Sequence, residues 1–455
     1  MENANENNGL PPFCQTNPLI PAGVFPASWA ELYAAVARLP TPPSWTARNK
    51  DSFTRLLYLA ELENFYFPAI RDIRSAMTIV RMLLKGLGDR KPNAAYWRAH
   101  NSTCNTLAGD ASIPAVPRFS GAAATTAIIG VSGGGKTTFV ENLLSTIPQM
   151  REHDQRTNPL LPRHQILWLK VICPVNRNPR AFITEFFTII DSLVGSNYGE
   201  AYKNENDDEL IVRMAKVARA HFLGILIIDE IQNAAGRRVT TDRRLMKLFV
   251  RISATLGVPI VFIGTPKSQE ILNAELADAR RMIGPHWLPY TDDDKEWHTY
   301  LDALCKIQYT KTETFLDPAP ESGPSTSGGL RAKFYELTQG IPALAKALWG
   351  LAQEKVIMEG KKEQSELITT EVLQDTFDKN MQSVAAAVAA LRTKSGLNIY
   401  DDLLPKDLPK PNAWEKNSAA MEQLALDCYQ DALARAARKK AREQAEDMFE
   451  GETKP

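Results

Sequence analysis

The stretch that decides the fold is Gly130-Val131-Ser132-Gly133-Gly134-Gly135-Lys136-Thr137, which has the spacing of a phosphate-binding loop. The apolar run Thr125–Ile129 before it predicts a buried strand, and residues 138–144 after it predict a helix. Glycines let backbone N–H groups close around phosphate oxygens, and a helix N-terminus adds the positive end of a dipole. We therefore expect Gly130 to Thr138 to bind ATP, with Lys136 on the outer phosphates and Thr137 holding Mg²⁺. The alternative, a chance glycine-rich turn, is rare at ordinary glycine content.

A second apolar strand supplies the carboxylates that ATP hydrolysis requires. Leu223–Ile228 is followed directly by Asp229 and Glu230. Because α/β sheets place their ligands at the carboxyl ends of the strands, both side chains are expected beside the phosphates. Asp229 would hold the metal through water, and Glu230 would polarise the attacking water. The alternative is a strand that ends in an ordinary acidic turn.

Four further side chains are candidates for contact with the nucleotide. Thr265 follows the predicted strand Val258–Ile263 and could sense the γ-phosphate or simply end the strand in a turn. Arg280 and Arg281 follow a predicted helix and offer a permanent charge to a neighbouring subunit's nucleotide, or lie solvated on the surface. Lys346 lies on the helix that starts at Gly340-Ile341-Pro342 and could report nucleotide state to a second domain, or be a plain surface lysine.

The order of predicted elements divides the chain into five parts. Residues 1–16 are Asn-rich and predicted to be disordered. Residues 17–118 form a separate region with helices at 28–39 and 52–87, whose aromatic residues make either a small core or a partner-docking surface. Residues 119–291 alternate strands and helices, which predicts an α/β fold with a parallel sheet flanked by helices. Residues 292–386 are predicted to be helical, and 387–455 form a C-terminal extension.

The composition indicates what class of protein this is, but it does not indicate which partners the protein binds. Its 455 residues suffice for about two or three domains. Lys plus Arg and Asp plus Glu number 53 each, so any contact with DNA needs a local basic surface. The five cysteines form no Cys-x-x-Cys pair, which favours reduced thiols over a zinc site or disulfides. The polar start and the lack of a long apolar run favour a cytoplasmic protein with no membrane contact.

The motifs stand in the order found in the AAA+ ATPases: phosphate loop, Asp-Glu strand, Gly-Thr strand end, paired arginines and Gly-x-Pro helix start. Among these, the chain resembles the TnsC/TniB group, the target-selection regulators of Tn-seven-like transposons, which include CRISPR-associated ones. The resemblance covers about residues 17–377. It rests on four segments: Asn17–Ile20, Asp229–Asn233, Gly257–Thr265 and Phe334–Pro342.

The resemblance implies a AAA+ P-loop fold with a small helical lid at 292–386 and an ATPase that uses ATP and Mg²⁺. It also implies assembly of the protein with itself, as rings or helical filaments around double-stranded DNA, with disassembly on hydrolysis. Open head-to-tail contacts between subunits generate such filaments. The partners implied are a TniQ/TnsD-type target selector at the N-terminal region and a TnsA/TnsB-type transposase at the C-terminal tail. The expected location is the bacterial nucleoid.

DNA contacts are expected from family analogy at Arg177, Arg180 and Lys203, which would grip phosphates without reading bases. The alternative is an ordinary exposed turn. A second candidate patch follows the catalytic strand: Arg237, Arg238, Arg243 and Arg244. Near the C-terminus, five basic residues are better explained as a solvated helix face than as a nucleic-acid site: Arg435, Arg438, Lys439, Lys440 and Arg442.

Two other functions compete with a transposition regulator. A AAA+ replication initiator or helicase loader would carry a DNA-recognition domain after the lid, and the C-terminal segment is too short and too charged for a winged helix. An adaptor ATPase that binds nucleotide without turnover would lack the catalytic carboxylate, whereas Glu230 is present. A transposase is disfavoured because the best Asp-Glu pair is already assigned to ATP.

Overall fold

The fold is built around a parallel sheet. The computed structural model describes residues 10–91, 124–154, 156, 161–234, 244–268, 286–316, 329–360, 366–393, 427 and 430. Five parallel strands lie in the order β4-β5-β6-β1-β7, and β2 pairs antiparallel with β3 beside them. The strands are β1 (Thr125–Gly130), β2 (Met150–Glu152), β3 (His164–Ile166), β4 (Trp168–Ile172), β5 (Ile225–Asp229), β6 (Ile260–Gly264) and β7 (His286–Trp287).

Helices precede, connect and follow the strands. Two short 3-10 helices lie at Leu59–Asn64 and Ile231–Ala234. The α-helices are α1 (Pro12–Gln15), α2 (Trp29–Val36), α3 (Trp45–Arg48), α4 (Ser52–Tyr58), α5 (Ile70–Asp89), α6 (Lys136–Leu144), α7 (Pro179–Val194), α8 (Tyr198–Ala201), α9 (Asp207–Ala220), α10 (Arg244–Thr255), α11 (Lys295–Cys305), α12 (Leu330–Thr338), α13 (Pro342–Glu359), α14 (Thr370–Asn380) and α15 (Gln382–Thr393).

The sheet is covered on both faces, which confirms the α/β architecture expected from the sequence. Successive side chains of a strand point to opposite faces, and β5 shows this directly. Ile225 and Ile227 belong to one hydrophobic core, which also contains residues of α5 and α6. Leu226 and Ile228 belong to a second core, which contains residues of α7, α9 and α10. All five residues of β5 are buried.

The N-terminal region packs differently from the separate helical unit expected for it. Its long helix α5 lies on the face of the sheet. The two are in close contact, since a Cβ added to Gly224, just before β5, would sit 2.4 Å from Leu83 of α5. Arg90, at the end of α5, donates to the carbonyl oxygens of Leu223, at 2.5 Å, and Gly224, at 3.2 Å. Residues of this region, of α6 and of α11–α14 share one hydrophobic core. The region therefore forms a layer of the nucleotide-binding fold.

Two predicted elements are wrong in their extent. The helix predicted at 52–87 is broken, since Phe65–Ala69 is extended and Tyr66 exchanges two backbone hydrogen bonds with Arg38. The strand predicted at 165–171 is split into β3 and β4, because β2 pairs with its first part. The segment 147–161 that follows α6 is largely polar, and its composition gives no reason to expect the strand β2 that it supplies.

The helical region after the sheet extends slightly beyond its predicted end at residue 386, since α15 continues to Thr393. Leu391 of α15 packs with Ile341, at the start of α13. Among the described helices, none combines the length and the apolar character needed to cross a membrane. The disorder predicted for residues 1–16 is wrong in its second half, because Pro12–Gln15 form α1 and Cys14 is buried in the core. Residues 1–9 and the C-terminal basic cluster lie outside the described residues.

Candidate nucleotide site

The glycine-rich loop joins β1 to α6, as its sequence requires. Gly133 and Gly135 have φ angles of 76° and 86°, which residues with a Cβ rarely adopt. The loop is closed by a hydrogen bond of 3.2 Å from Gly134 N to the Val131 carbonyl oxygen. Lys136 Nζ donates to the carbonyl oxygens of Gly130 and Val131, at 2.8 Å each. The lysine side chain is thus held against the loop. We expect it to contact the outer phosphates of a nucleotide bound there.

Other parts of the chain contact the loop closely. Ala343 N, in α13, donates to the Gly133 carbonyl oxygen at 3.2 Å. A Cβ on Gly133 would lie 3.1 Å from Ile341, and one on Gly135 would lie 3.1 Å from the Tyr66 ring. The loop therefore touches both the helical region after the sheet and the N-terminal region. Neither contact could be predicted from the sequence: Tyr66 lies in no motif, and the Gly340-Ile341-Pro342 motif predicts a helix start but no contact with the loop.

Thr137 and Asp229 come together beside the loop, as predicted for a magnesium site. Thr137 Oγ1 donates to Asp229 Oδ2 at 3.0 Å, and the Asp229 side chain is almost fully buried. A hydroxyl and a carboxylate are oxygen ligands of the kind that Mg²⁺ prefers, so this pair fits the ion. When bound there, Mg²⁺ would neutralise charge on the phosphates.

Glu230 follows Asp229 but differs from it in exposure and backbone. Its side chain is exposed, its φ angle is 57°, and its N–H donates to Asp229 Oδ1 at 2.8 Å. Thr265 lies one residue beyond β6, the strand next to β5, and is buried. The two adjacent carboxylates thus face different surroundings, one buried beside Thr137 and the other open to water. This is the arrangement that metal binding and activation of water require.

The remaining nucleotide candidates are placed only in part. Lys346 Nζ donates to the Glu63 carbonyl oxygen at 3.1 Å and lies 3.7 Å from the Glu63 carboxylate. It lies one turn along α13 from Ala343, which contacts the loop. Its role toward the nucleotide stays a prediction. Arg280 and Arg281 lie outside the described residues.

A buried charged cluster adjoins the loop and was also missed. Tyr66, which contacts Gly135, donates its hydroxyl to Asp72 at 2.8 Å. Arg71 lies over the rings of Trp287 and Tyr290. Burial raises the pKa of Asp72 above its usual value, partly offset by Arg71. Burial also raises the pKa of Glu296, in α11, to about 7.

Glu296 joins two parts of the fold. Its Oε1 accepts a hydrogen bond of 2.7 Å from Ile70 N, at the start of α5. That bond and Arg71 both favour the charged carboxylate, whereas Asp294 and Asp72 oppose it together with burial. No local motif signals this cluster, since its members come from α5, α11 and the segment after β7.

Of the three DNA candidates, the structure joins Arg180 to the loop that carries Lys203. The Arg180 guanidinium donates to the carbonyl oxygens of Lys203 and of Glu205, the latter at 2.8 Å. Lys203 Nζ pairs with Glu200. Arg177 has a positive φ angle of 55°. Of the second candidate patch, Arg244 begins α10 and is exposed, while Arg237, Arg238 and Arg243 lie outside the described residues.

One family model matches part of the chain. The family model of the AAA domain matches residues 121–272. No curated protein matches this sequence. Similar solved structures include Cdc6p from Pyrobaculum aerophilum, with 15% identity, a TM-score of 0.34 and coverage of 56% of this chain and 60% of that one.

Two more structures give comparable values. ORC1 from Aeropyrum pernix, solved in complex with DNA, has 17% identity, a TM-score of 0.33 and coverage of 63% of this chain and 64% of its own. The Walker-type ATPase of Pyrococcus abyssi has 13% identity, a TM-score of 0.33 and coverage of 60% of this chain and 71% of its own. The chain spans less than two thirds of the first two proteins. Identities and scores this low support no inference about function.

The matched segment contains the phosphate loop, the Asp-Glu strand end and Thr265. Their strands are neighbours in a parallel sheet with helices on both faces. The chain therefore carries a AAA domain with the AAA+ P-loop fold, a nucleotide-binding fold.

Proposed function

We propose that the chain hydrolyses ATP at the site formed by residues 130–138, Asp229 and Glu230. The observation that carries this proposal is the difference in burial between the two adjacent carboxylates. Asp229 is buried against Thr137, at 3.0 Å, whereas Glu230 is exposed at the same strand end. Lys136 binds the outer phosphates, Thr137 and Asp229 hold Mg²⁺, and Glu230 takes the proton of the attacking water.

Replacing Glu230 with Gln tests this assignment. The change keeps the size of the side chain and removes the base, so ATP turnover should fall by about a hundredfold or more while ATP affinity is kept. Turnover would be measured by phosphate release and affinity by titration with a fluorescent ATP analogue. Lys136→Ala is the matched variant, because it should weaken nucleotide binding itself. Wild-type turnover in the Glu230→Gln protein would overturn the assignment.

We further propose that ATP controls the assembly of this chain on double-stranded DNA, as a transposition regulator. The proposal rests on the resemblance of its motifs to the TnsC/TniB group. The chain would link a TniQ/TnsD-type target selector to a TnsA/TnsB-type transposase at the bacterial nucleoid and leave DNA after hydrolysis. Arg280 or Arg281 would complete the nucleotide site of the neighbouring subunit, and Thr265 and Lys346 would sense the bound nucleotide.

The proposed docking of a selector on the N-terminal region has support in its surface. Three apolar side chains there are at least 60% exposed although the region is packed onto the fold. Trp45 is 77% exposed, Phe53 71% and Leu57 60%. Phe53 and Leu57 are four residues apart on α4 and therefore lie on one face of it. Exposed apolar groups of this size suit contact with another protein.

The proposed DNA contacts are Arg177, Arg180 and Lys203. Arg180 donates to two backbone carbonyls of the loop that carries Lys203, so Arg180 and this loop form one unit. Their environment is mixed in charge, since Arg180 also lies 3.6 Å from Asp207 and Lys203 pairs with Glu200. Contacts of this kind with phosphates would make binding weaken steeply with salt.

Electron microscopy of the protein with duplex DNA and a non-hydrolysable ATP analogue tests the assembly. We expect rings or filaments that surround the duplex, and we expect ADP in place of the analogue to give none. Monomers in both samples would contradict the proposal. Loading of a hexameric helicase, without filaments, would favour the replication-type function instead.

A further inference from the structure

Gln232 connects the proposed base Glu230 to the end of the neighbouring strand. It lies in the 3-10 helix Ile231–Ala234, which follows β5 directly. Its Nε2 donates a hydrogen bond to Glu230 Oε2. Its Oε1 accepts a hydrogen bond of 3.2 Å from the backbone N–H of Thr265. One amide side chain therefore bridges the two strand ends that flank the site.

The orientation of this amide follows from its partners. The Thr265 backbone N–H can only donate, so the Gln232 oxygen must face it. The Gln232 NH₂ group must then face the Glu230 carboxylate, which accepts hydrogen bonds. Because the backbone N–H does not change with pH or tautomer, it fixes which group Gln232 presents to the base.

The backbone around Gln232 is adapted to this bridge. A Cβ on Gly264 would lie 3.1 Å from Gln232 Oε1 and 2.5 Å from Ile231 Cγ2, so the close approach needs a glycine. Glu230 adopts a φ angle of 57°, which is costly for a residue with a side chain. Its carboxylate then lies where the Gln232 amide reaches it. Strained backbone of this kind persists where surrounding contacts hold it.

We propose that Gln232 is a positioning residue for ATP hydrolysis, which holds the Glu230 carboxylate in one orientation and ties it to the end of β6. The inference rests on the proposed ATPase function. Gln232 engages Oε2 of Glu230 and leaves Oε1 available to the attacking water. A displacement of the β6 end at Thr265 would pass to the base through this single side chain.

Two substitutions separate the two hydrogen bonds. Gln232→Met has a similar length and makes neither bond. Gln232→Glu keeps an acceptor for Thr265 N but presents a carboxylate to Glu230 instead of a donor. We expect kcat for ATP to fall by about ten- to a hundredfold in both, because a misplaced catalytic group costs rates of this order. The KM for ATP should stay unchanged, since the bond acts on the base and not on the nucleotide.

The pH profile distinguishes positioning from a structural role. Lowering the pH protonates the introduced carboxyl, which can then donate to Glu230 as the amide does. Two carboxylates that share a site cannot both ionise easily, so one of them keeps its proton to higher pH than an isolated Glu. The rate of the Gln232→Glu protein relative to wild type at the same pH should therefore rise from about pH 8 to about pH 6. A variant that is only less well folded would show no such recovery.

Asn233→Leu is the matched control. Asn233 lies in the same short helix, but its Nδ2 donates to the Cys173 carbonyl oxygen at 3.0 Å and not to the Glu230 carboxylate. It should keep wild-type kcat. Thermal melting and ATP affinity of every variant would be measured beside kcat.

The outcomes separate this inference from the function on which it rests. Wild-type protein without Glu230-dependent ATP turnover would contradict the proposed function. If turnover depends on Glu230 and both Gln232 variants keep wild-type kcat, the positioning role is overturned. A loss of kcat equal in Asn233→Leu and the Gln232 variants, without recovery at low pH, would also overturn it.

Discussion

At the residue scale, Lys170 places a positive charge beside the proposed magnesium site. Its Nζ lies 2.5 Å from Glu141 Oε1 and 3.4 Å from Asp229 Oδ2. Glu141 is four residues beyond Thr137 and thus shares its face of α6. Lys170 therefore interacts with the same carboxylate that would hold Mg²⁺, and the two cations compete for Asp229.

Replacing Lys170 with Met should lower the Mg²⁺ concentration that ATP turnover requires. Without the ammonium group, the half-saturating Mg²⁺ concentration should fall by about fivefold, equivalent to about 1 kcal/mol for a partly exposed ion pair. Magnesium titration of phosphate release measures it. Glu141→Gln provides the opposite change, because it leaves Lys170 with Asp229 alone and should raise that concentration. Equal magnesium requirements in the three proteins would contradict this account.

At the scale of elements, a buried ion pair joins α4 to the helical region after the sheet. Arg55 donates to both carboxylate oxygens of Glu366, at 2.6 and 2.8 Å, and to the Tyr309 carbonyl oxygen at 3.0 Å. Glu366 also accepts from Lys311 N at 2.6 Å. Both charged side chains are about 3% exposed. Each charge is thus buried with its hydrogen-bonding groups used.

Replacing Arg55 with Met should destabilise the fold strongly. It leaves Glu366 buried without its counter-ion, which typically costs about 3–5 kcal/mol of unfolding free energy. Urea denaturation followed by circular dichroism measures this. The double variant Arg55→Met, Glu366→Met should recover part of the loss. Lys85→Met serves as the comparison, because its exposed pair with Asp89 should contribute at most about 1 kcal/mol. Similar losses in both single variants would contradict the prediction.

Which elements could be predicted from the sequence depends on whether their cause is local. The P-loop, β5 and its Asp229-Glu230 end follow from spacing and a short apolar run. The ends of α7 also have a local cause, since proline is typical of a helix start and glycine of the position after its end, and these are Pro179 and Gly195. The break before α5 could not be predicted, because Tyr66 pairs with a residue far back in the chain, Arg38. Likewise, the role of Gln232 could not be predicted, because its contact with the Thr265 N–H forms only on folding.

At the scale of the whole molecule, the N-terminal region, the sheet and the helices after it form one hydrophobic core. The charged cluster beside the loop lies among these three parts. Glu296 of α11 binds Ile70 N at the start of α5, and Arg71 donates to the Leu288 carbonyl oxygen. A change in charge at Glu296 should therefore affect unfolding of the protein as a whole.

The pKa of Glu296 gives this stability a pH dependence. Burial raises its pKa from the usual 4.5 to about 7 in the folded protein. The folded state therefore binds the proton more tightly than the unfolded chain. The resulting stabilisation is fully present below about pH 4.5 and is lost as the pH rises through about 7. Its size is on the order of 3 kcal/mol.

Glu296→Gln should remove this dependence, because the amide stays neutral and its Oε1 can still accept from Ile70 N. The unfolding free energy of the variant should equal that of wild type at about pH 4.5. Above about pH 7 it should exceed the wild-type value by on the order of 3 kcal/mol. Urea denaturation of both proteins at a series of pH values measures the difference, in which the other titrating groups cancel. A difference that stays constant with pH would show that Glu296 is charged in the folded protein throughout this range.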